Sequence, residues 1–388
     1  MYNTRPVEVF EFHRSMLIDT VRMDSFLSAI LQTVKQGDVV LDIGSGTGVL
    51  ACFAYMAGAK HVYAIEQGPI IGLAREICAR NNLEEQITFI NDWSSNSDLP
   101  EPVDVLVTET IGNIGFDEGI LRWVLDAKKR FLKEDARIIP RTMEMFAVPI
   151  ESEDDYDLVD EWAHYYYSLD FSPLQTLASS NLLWIDLKPD MFLSEPASLA
   201  LAELARIDVG DLSGEASFIV KRNGIVHGIG GWFKAELAAG INLSNIPPTK
   251  TPSWSHTFLP LEWPLNVKAG DRLDLRIYTS RNAARWQWQV THLSAGEDGQ
   301  FEPATILPEQ TTQTGELSAF IVPEDHTYCP TRNTNGEIDL FILQQIDGAQ
   351  TAAEIARKTE KRFPSKFNSH ESLLGHIYRL MNLYAGSE

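Results

Sequence analysis

The 388-residue sequence predicts an α/β domain, then an all-β domain, then a small α+β unit, and three observations carry that expectation. From about 39 to 139, short apolar runs alternate with helically spaced ones, the pattern of a parallel sheet covered on both faces. From about 144 to 292 the apolar period is two, with Gly and Pro punctuation, as in an antiparallel barrel. After a stretch rich in Gly, Glu, Pro, Thr and Gln, residues 331–388 carry one strand-like run and two helical ones. The expected boundaries are therefore 1–142, 143–293 with an inserted arm at about 155–195, a linker over 294–330, and 331–388.

In order, Met16, Leu17, Val21, Met23, Phe26, Leu27, Ile30 and Leu31 lie at helical spacing and predict one or two amphipathic helices. VVLDIGSGTG (39–48) reads as a strand entering a glycine-rich turn, and VLACFAYMAGA as the helix after it. HVYAIE (61–66), GLAREICARNNL, ITFIND (87–92), VDVLVTE (103–109) and a helix over 119–132 continue the alternation. In the second domain, Asn223–Gly224 between two strand-like runs predicts a type I′ hairpin. RLDLRIYTS (272–280) and RWQWQVTH (285–292) alternate as half-buried strands do, and Trp232, Trp286 and Trp288 are expected in the core. The acidic run Glu151, Glu153, Asp154, Asp155 and Asp157 predicts a solvated face, and Trp162 with Tyr165, Tyr166 and Tyr167 an arm that packs on something. IDLFIL (338–343) predicts a strand, with helices through IDGAQTAAEIARKTEKRF and over 371–384.

With 32 Lys+Arg against 54 Asp+Glu, the formal net charge is −22. That balance argues against a nucleic-acid partner, whose phosphates demand clustered cations, and favours encounter with cations. Cys52, Cys78 and Cys329 are scattered, which predicts neither a disulfide framework nor a metal site. No apolar run approaches the roughly 18 residues a membrane span needs, and the N-terminus has no apolar signal core, so a cytoplasmic protein with no membrane partner is expected.

The chemistry begins at Asp42, Gly44, Gly46 and Gly48, where a strand enters a helix and glycines let the backbone approach a ligand. Glu66 follows Gly46 by 20 residues at the next strand end, placed to accept from two ribose hydroxyls. Val49 stands where the dinucleotide fingerprint has its third glycine, which disfavours a pyrophosphate and favours S-adenosylmethionine. Farther on, Glu109 and Glu118 are nine residues apart on one loop, with Gly112 and Gly115 between them. Two carboxylates can take the N–H donors of a planar guanidinium bidentately and hold it in line with an electrophile.

VVLDIGSGTGVL with VYAIEQ, LKEDARIIP, the double-glutamate loop, NGIVHGIGGWF and LEWPLNVKAGDRL together resemble the protein arginine N-methyltransferases over about residues 10–293. The resemblance implies a Rossmann-like S-adenosylmethionine domain followed by a β-barrel, and a head-to-tail homodimer made through the arm. It implies that Arg22 holds the methionine carboxylate, that His13 belongs with it to the helix over the cofactor, and that Asp92 stands on the adenine side. It sets Glu109 and Glu118 as the catalytic pair, with Met16, Trp254 and His256 on the acceptor side. The chain departs from the family at Ser253, where a histidine is usual, and at Ile120, where many members have methionine.

Residues 333–363 with 373–384 resemble the PqqD-like domains that bind leader peptides, a winged-helix-like α+β unit. The function expected is S-adenosylmethionine-dependent methylation of an arginine guanidino group, in an arginine-containing peptide from a natural-product pathway or as free arginine. The alternatives are a non-catalytic scaffold that recruits a peptide and a methyltransferase with another acceptor.

Overall fold

The computed structural model describes residues 6–249, 253–280, 285–296, 300–312, 334–364, 366–367 and 369–384. Residues 1–314 form one compact unit and 315–388 another. Two helices open the first, α1 (Pro6–Ile18) and α2 (Thr20–Thr33). They break at Asp19, whose carboxylate caps α2 by accepting from the Arg22 amide at 3.1 Å. The alternation follows as β1 (Val39–Ile43), α3 (Val49–Met56), β2 (His61–Ile65), α4 (Ile71–Arg80), β3 (Ile87–Ile90), β4 (Val103–Thr108), α5 (Ile120–Arg130) and β5 (Leu132–Ile139).

These five strands make a parallel sheet in the order β3-β2-β1-β4-β5. Every residue of β1 is buried, which explains its unbroken apolar run. The strand order reverses between β1 and β4, where Ile43 lies opposite Thr108. Loops leaving neighbouring strands diverge at such a point and open a crevice at their carboxyl ends.

The all-β part begins with β6 (Thr142–Ile150). An insertion follows, made of α6 (Glu153–Asp160), the hairpin β7 (Tyr165–Tyr166) and β8 (Leu169–Asp170), α7 (Pro173–Ser179) and β9 (Leu183–Ile185). Then come β10 (Ala197–Glu203), β11 (Ser213–Ile219), β12 (Gly224–Ala238), β13 (Ile241–Ser244), β14 (His256–Val267), β15 (Arg272–Ser280), β16 (Arg285–Ala295), β17 (Phe301–Ile306) and β18 (Gln310–Thr311). One antiparallel sheet runs β10-β6-β12-β14-β9 with β13 on β12, and the other runs β11-β15-β16-β17 with β18 on β16. Trp232, Trp286 and Trp288 are buried as expected. In the insertion, Glu153, Asp154 and Asp157 face solvent while Tyr156 and Val159 pack with Val148, Trp232 and Phe258.

Three expectations are corrected. Asn223–Gly224 does not close a hairpin: β11 pairs with β15 and β12 with β6 and β14, so the chain crosses between sheets there. The Asn223 side chain instead accepts from the Ala269 amide at 2.9 Å. The linker expected from 294 begins as sheet, because β17 and β18 pair with β16 and bury Leu307; residues 313–333 lie outside those described. IDLFIL is helical, part of α8 (Thr334–Leu343), which packs with α9 (Ala352–Arg362) and α10 (His370–Tyr384). Ile338 and Ile342, one turn apart, share a buried cluster with Ile355, Leu373 and Ile377, a contact that an isolated apolar run does not reveal. Among the described residues, no helix is long and apolar enough to cross a membrane.

One barrel glycine positions the crevice. Gly231 lies mid-sheet, opposite Ala147 and Thr257, and a Cβ there would stand 2.5 Å from Cδ1 of Ile114 in the loop after β4. Gly231→Ala is therefore expected to cost about 1–3 kcal/mol by overpacking, measured by urea unfolding.

Candidate active site

A cavity of about 790 Å3 lies over the carboxyl ends of β1 and β4. On the β1 side, Gly44, Gly46 and Gly48 have φ of 75°, 52° and 77°, left-handed values that bring the turn backbone to the cavity floor. A Cβ on Gly46 would come within 3.0 Å of the His13 ring, so glycine is what lets α1 close over the turn. Glu66, at the end of β2, accepts from the Gly46 amide at 3.1 Å and from the Gly68 amide at 2.6 Å. Its carboxylate is thereby fixed facing the cavity. Beneath it, Asp42 is fully buried, and neither of its oxygens has a hydrogen-bond partner. Burial, and then the Glu66 charge, push the Asp42 carboxyl up to about 7.

On the β4 side, Glu109 forms a buried ion pair with Arg22 of α2. Arg22 also lies over the Trp254 ring, 5.3 Å from its centroid, and burial brings its pKa down to about 10. Two of its nitrogens, Nε and Nη1, are buried without partners. Trp254 is itself fixed by an Nε1–H bond to the Ile111 carbonyl at 2.7 Å. Glu118 keeps an exposed edge toward the cavity, yet enough protein surrounds its carboxyl that desolvation, with Asp117 next door, pushes it up to about 7. Asp117 folds back into the loop and accepts from the Asn113 and Ile114 amides at 3.2 and 3.1 Å.

The fold thus brings together His13, Met16, Arg22, Gly44, Gly46, Glu66, Asp92, Glu109, Glu118 and Trp254 around one cavity. Asp42 and Gly48 lie directly behind its lining. His256 is the exception. It is 1% exposed, opposite Ile185 of β9, and its Nδ1 accepts from the Leu187 amide at 3.0 Å. Entry into β14 turns it into the barrel packing instead of the cavity.

Sequence reading missed several lining residues. Trp93 stacks on Trp123 with centroids 5.9 Å apart, and the Arg122 guanidinium covers Trp123 at 3.8 Å. Trp184, 69% exposed, brings the arm to the cavity rim. The only signal for Trp93 was its place next to Asp92. Trp184 gave none, because its proximity is created by β9 pairing with β14.

The residues fit S-adenosylmethionine. Arg22 offers two unsatisfied nitrogens to a carboxylate, Asp42 unsatisfied oxygens on the side of an ammonium, and Glu66 a fixed acceptor for ribose hydroxyls.

Known proteins resemble the chain over both its parallel-sheet part and its all-β part. Residues 141–293 match the arginine methyltransferase oligomerization subdomain, and residues 22–143 match the ribosomal protein L11 methyltransferase (PrmA) family. Protein arginine N-methyltransferase 6 of Xenopus tropicalis is 30% identical over 270 residues, covering 66% of this chain and 79% of that protein. The arginine N(omega)-methyltransferase of Streptomyces achromogenes subsp. streptozoticus is 33% identical over 275 residues, covering 69% and 75%. Among solved structures, the Trypanosoma brucei PRMT1 enzyme–prozyme heterotetrameric complex with AdoHcy has the same fold, with a TM-score of 0.68, 24% identity, and coverage of 78% of this chain and 98% of that one. Arabidopsis thaliana protein arginine methyltransferase 10 superposes with a TM-score of 0.64 at 25% identity, covering 77% and 96%.

A carboxyl poised near neutrality gives a direct test of the cofactor side. A ligand ammonium near Asp42 favours its ionised form, so S-adenosylhomocysteine binding near pH 7 should release a fraction of a proton. Titration calorimetry in buffers of different ionisation enthalpy reads that release, and Asp42→Asn should remove most of it.

Proposed function

Because the chain belongs to the protein arginine N-methyltransferase family and is an S-adenosylmethionine-dependent methyltransferase, we propose that it methylates a guanidino nitrogen of arginine held between Glu109 and Glu118. The observation that carries the reading is that both carboxylates line the cavity of the glycine turn, with Glu109 paired to Arg22, which lines it too and keeps two buried nitrogens without partners. S-adenosylmethionine, when bound, supplies an electrophilic methyl group.

The chain's own residues do the rest. Arg22, Asp42 and Glu66 hold the cofactor, while His13 of α1 covers it and Met16 lines the acceptor side. A guanidinium is a poor nucleophile because its lone pairs are delocalised. Glu109 and Glu118 would accept its N–H donors, fix the reacting nitrogen and draw positive charge toward the nitrogens that do not react. Glu118 then takes the proton that the methylated nitrogen gives up, a role suited to a carboxyl titrating near 7.

The acceptor is proposed to be arginine, free or within a peptide. The name of the Streptomyces relative, arginine N(omega)-methyltransferase, specifies arginine rather than a protein, and that wording favours the free amino acid. A precursor peptide rests on the resemblance of residues 333–363 and 373–384 to PqqD-like domains, with the catalytic domain acting on the peptide held there. The insertion at 155–195 is proposed as the arm of a head-to-tail homodimer, supported by the match of residues 141–293 to an oligomerization subdomain.

Mass spectrometry after incubation with S-adenosylmethionine, free arginine and an arginine-containing peptide pool decides the acceptor by which one gains a methyl group. Glu109→Gln and Glu118→Gln should each lower kcat/KM by at least about 100-fold while S-adenosylhomocysteine still binds. Normal turnover in both variants would overturn the two-carboxylate reading. Glu118 grips a cation only when ionised, so the acceptor KM should climb as pH falls below about 7, approaching tenfold per unit, and this slope should vanish in Glu118→Gln.

A further inference from the structure

Asn245, just after β13, is fully buried and belongs to none of the roles above. Its side-chain amide bonds to three separate stretches of backbone. Its Oδ1 accepts from the Phe233 amide of β12 at 2.9 Å. Its Nδ2 donates to the Asn113 carbonyl at 2.9 Å, inside the loop that carries Glu109 and Glu118, and to the Ser255 carbonyl at 2.7 Å, beside Trp254. Asn113 closes the circuit, its Oδ1 accepting from the Ser255 amide at 2.8 Å. With one N–H and two carbonyls as partners, the amide has a single orientation that satisfies all three.

We propose that Asn245 is a positioning residue for the acceptor: it ties the carboxylate loop to the Trp254 segment and so sets the gap that receives the guanidino group. The inference rests on the reading of Glu109 and Glu118 as the acceptor's carboxylates. The loop after β4 belongs to the parallel-sheet half of the chain, and the Ser253–Ser255 segment to the barrel. Nothing in the parallel sheet itself fixes their separation. The Trp254–Ile111 and Ser255–Asn113 bonds join them directly, and Asn245 bridges them at Asn113, two residues closer to Glu118 than Ile111. Displacements of about 1 Å in a reacting geometry can cost about a hundredfold in rate, so a strap at this place acts on acceptor binding and turnover. The cofactor side shares none of its bonds, since Glu66 and the glycine turn are held by each other.

The test uses the full chain with Asn245→Ala and Asn245→Asp and three readouts: hydrogen exchange, S-adenosylhomocysteine affinity and acceptor kinetics. In Asn245→Ala, exchange should quicken over both 111–118 and 253–258. The KM for the arginine acceptor should rise about tenfold, and the dissociation constant of S-adenosylhomocysteine should stay within about twofold. Asn245→Asp keeps the shape and the Oδ1 acceptor. Protonated, it still donates to one carbonyl; ionised, it faces two carbonyl oxygens, so its activity relative to wild type should fall as pH rises. Unchanged exchange and KM in Asn245→Ala would overturn the proposal. So would parallel loss of cofactor and acceptor binding in Asn245→Asp at low pH, which marks a general structural role. A wild-type protein that binds S-adenosylhomocysteine but methylates no arginine acceptor defeats the functional reading instead, while hydrogen exchange still decides the strap.

Discussion

The buried pair between Arg22 and Glu109 is the interaction on which the site depends. Their side chains are 6% and 9% exposed, and removing two such charges from water costs several kcal/mol per ion before their attraction is counted. Neither would be tolerated there alone. The pair fastens α2 to the loop after β4, and with it brings α1 over the glycine turn. Asp19 caps the start of α2, while Phe26, Ala29 and Ile30 bury its inner face. The same guanidinium therefore closes the N-terminal helices onto the sheet and keeps two buried nitrogens without partners beside the cavity it lines.

Around that pair the cavity gathers more negative than positive groups. Glu66, Asp92, Glu109 and Glu118 line it, against Arg22 and Arg122. Asp42 lies just behind, and its crowding with Glu66 helps to keep it protonated up to about 7. Such a site is strained toward neutrality until a cation enters. A sulfonium cofactor with an ammonium group and a guanidinium acceptor are both cations. The chain's net charge of −22 extends the same preference over a longer range, where salt screens it.

The legible parts of the sequence were those in which local pattern and tertiary role coincide. The apolar β1 run, the glycine turn, Glu66 at the end of β2 and the Glu109–Glu118 spacing all kept their predicted places, because each is set by a strand end and a short connection. The illegible parts were set by partners distant in sequence. Asn223–Gly224 carries a hairpin signal, but β11 and β12 found better partners in separate sheets. Phe301–Ile306 has the composition of a linker and became a strand because the edge of β16 lay open to it. His256, three residues from a depleted histidine position, was drawn instead into the packing under β9.

By itself, then, the sequence determined the order of elements, the chemistry of the glycine turn and the residue types that line the cavity. Those follow from periodicity of 3.6 or 2 and from side-chain charge, which are local properties. Only the tertiary structure decided which strands share a sheet, that Arg22 and Glu109 neutralise each other 87 residues apart, and that Asn245 reaches Asn113 across 132 residues. The physical reason is that buried polar groups take whichever partner the packed backbone delivers. That delivery is a property of the whole fold, not of any segment within it.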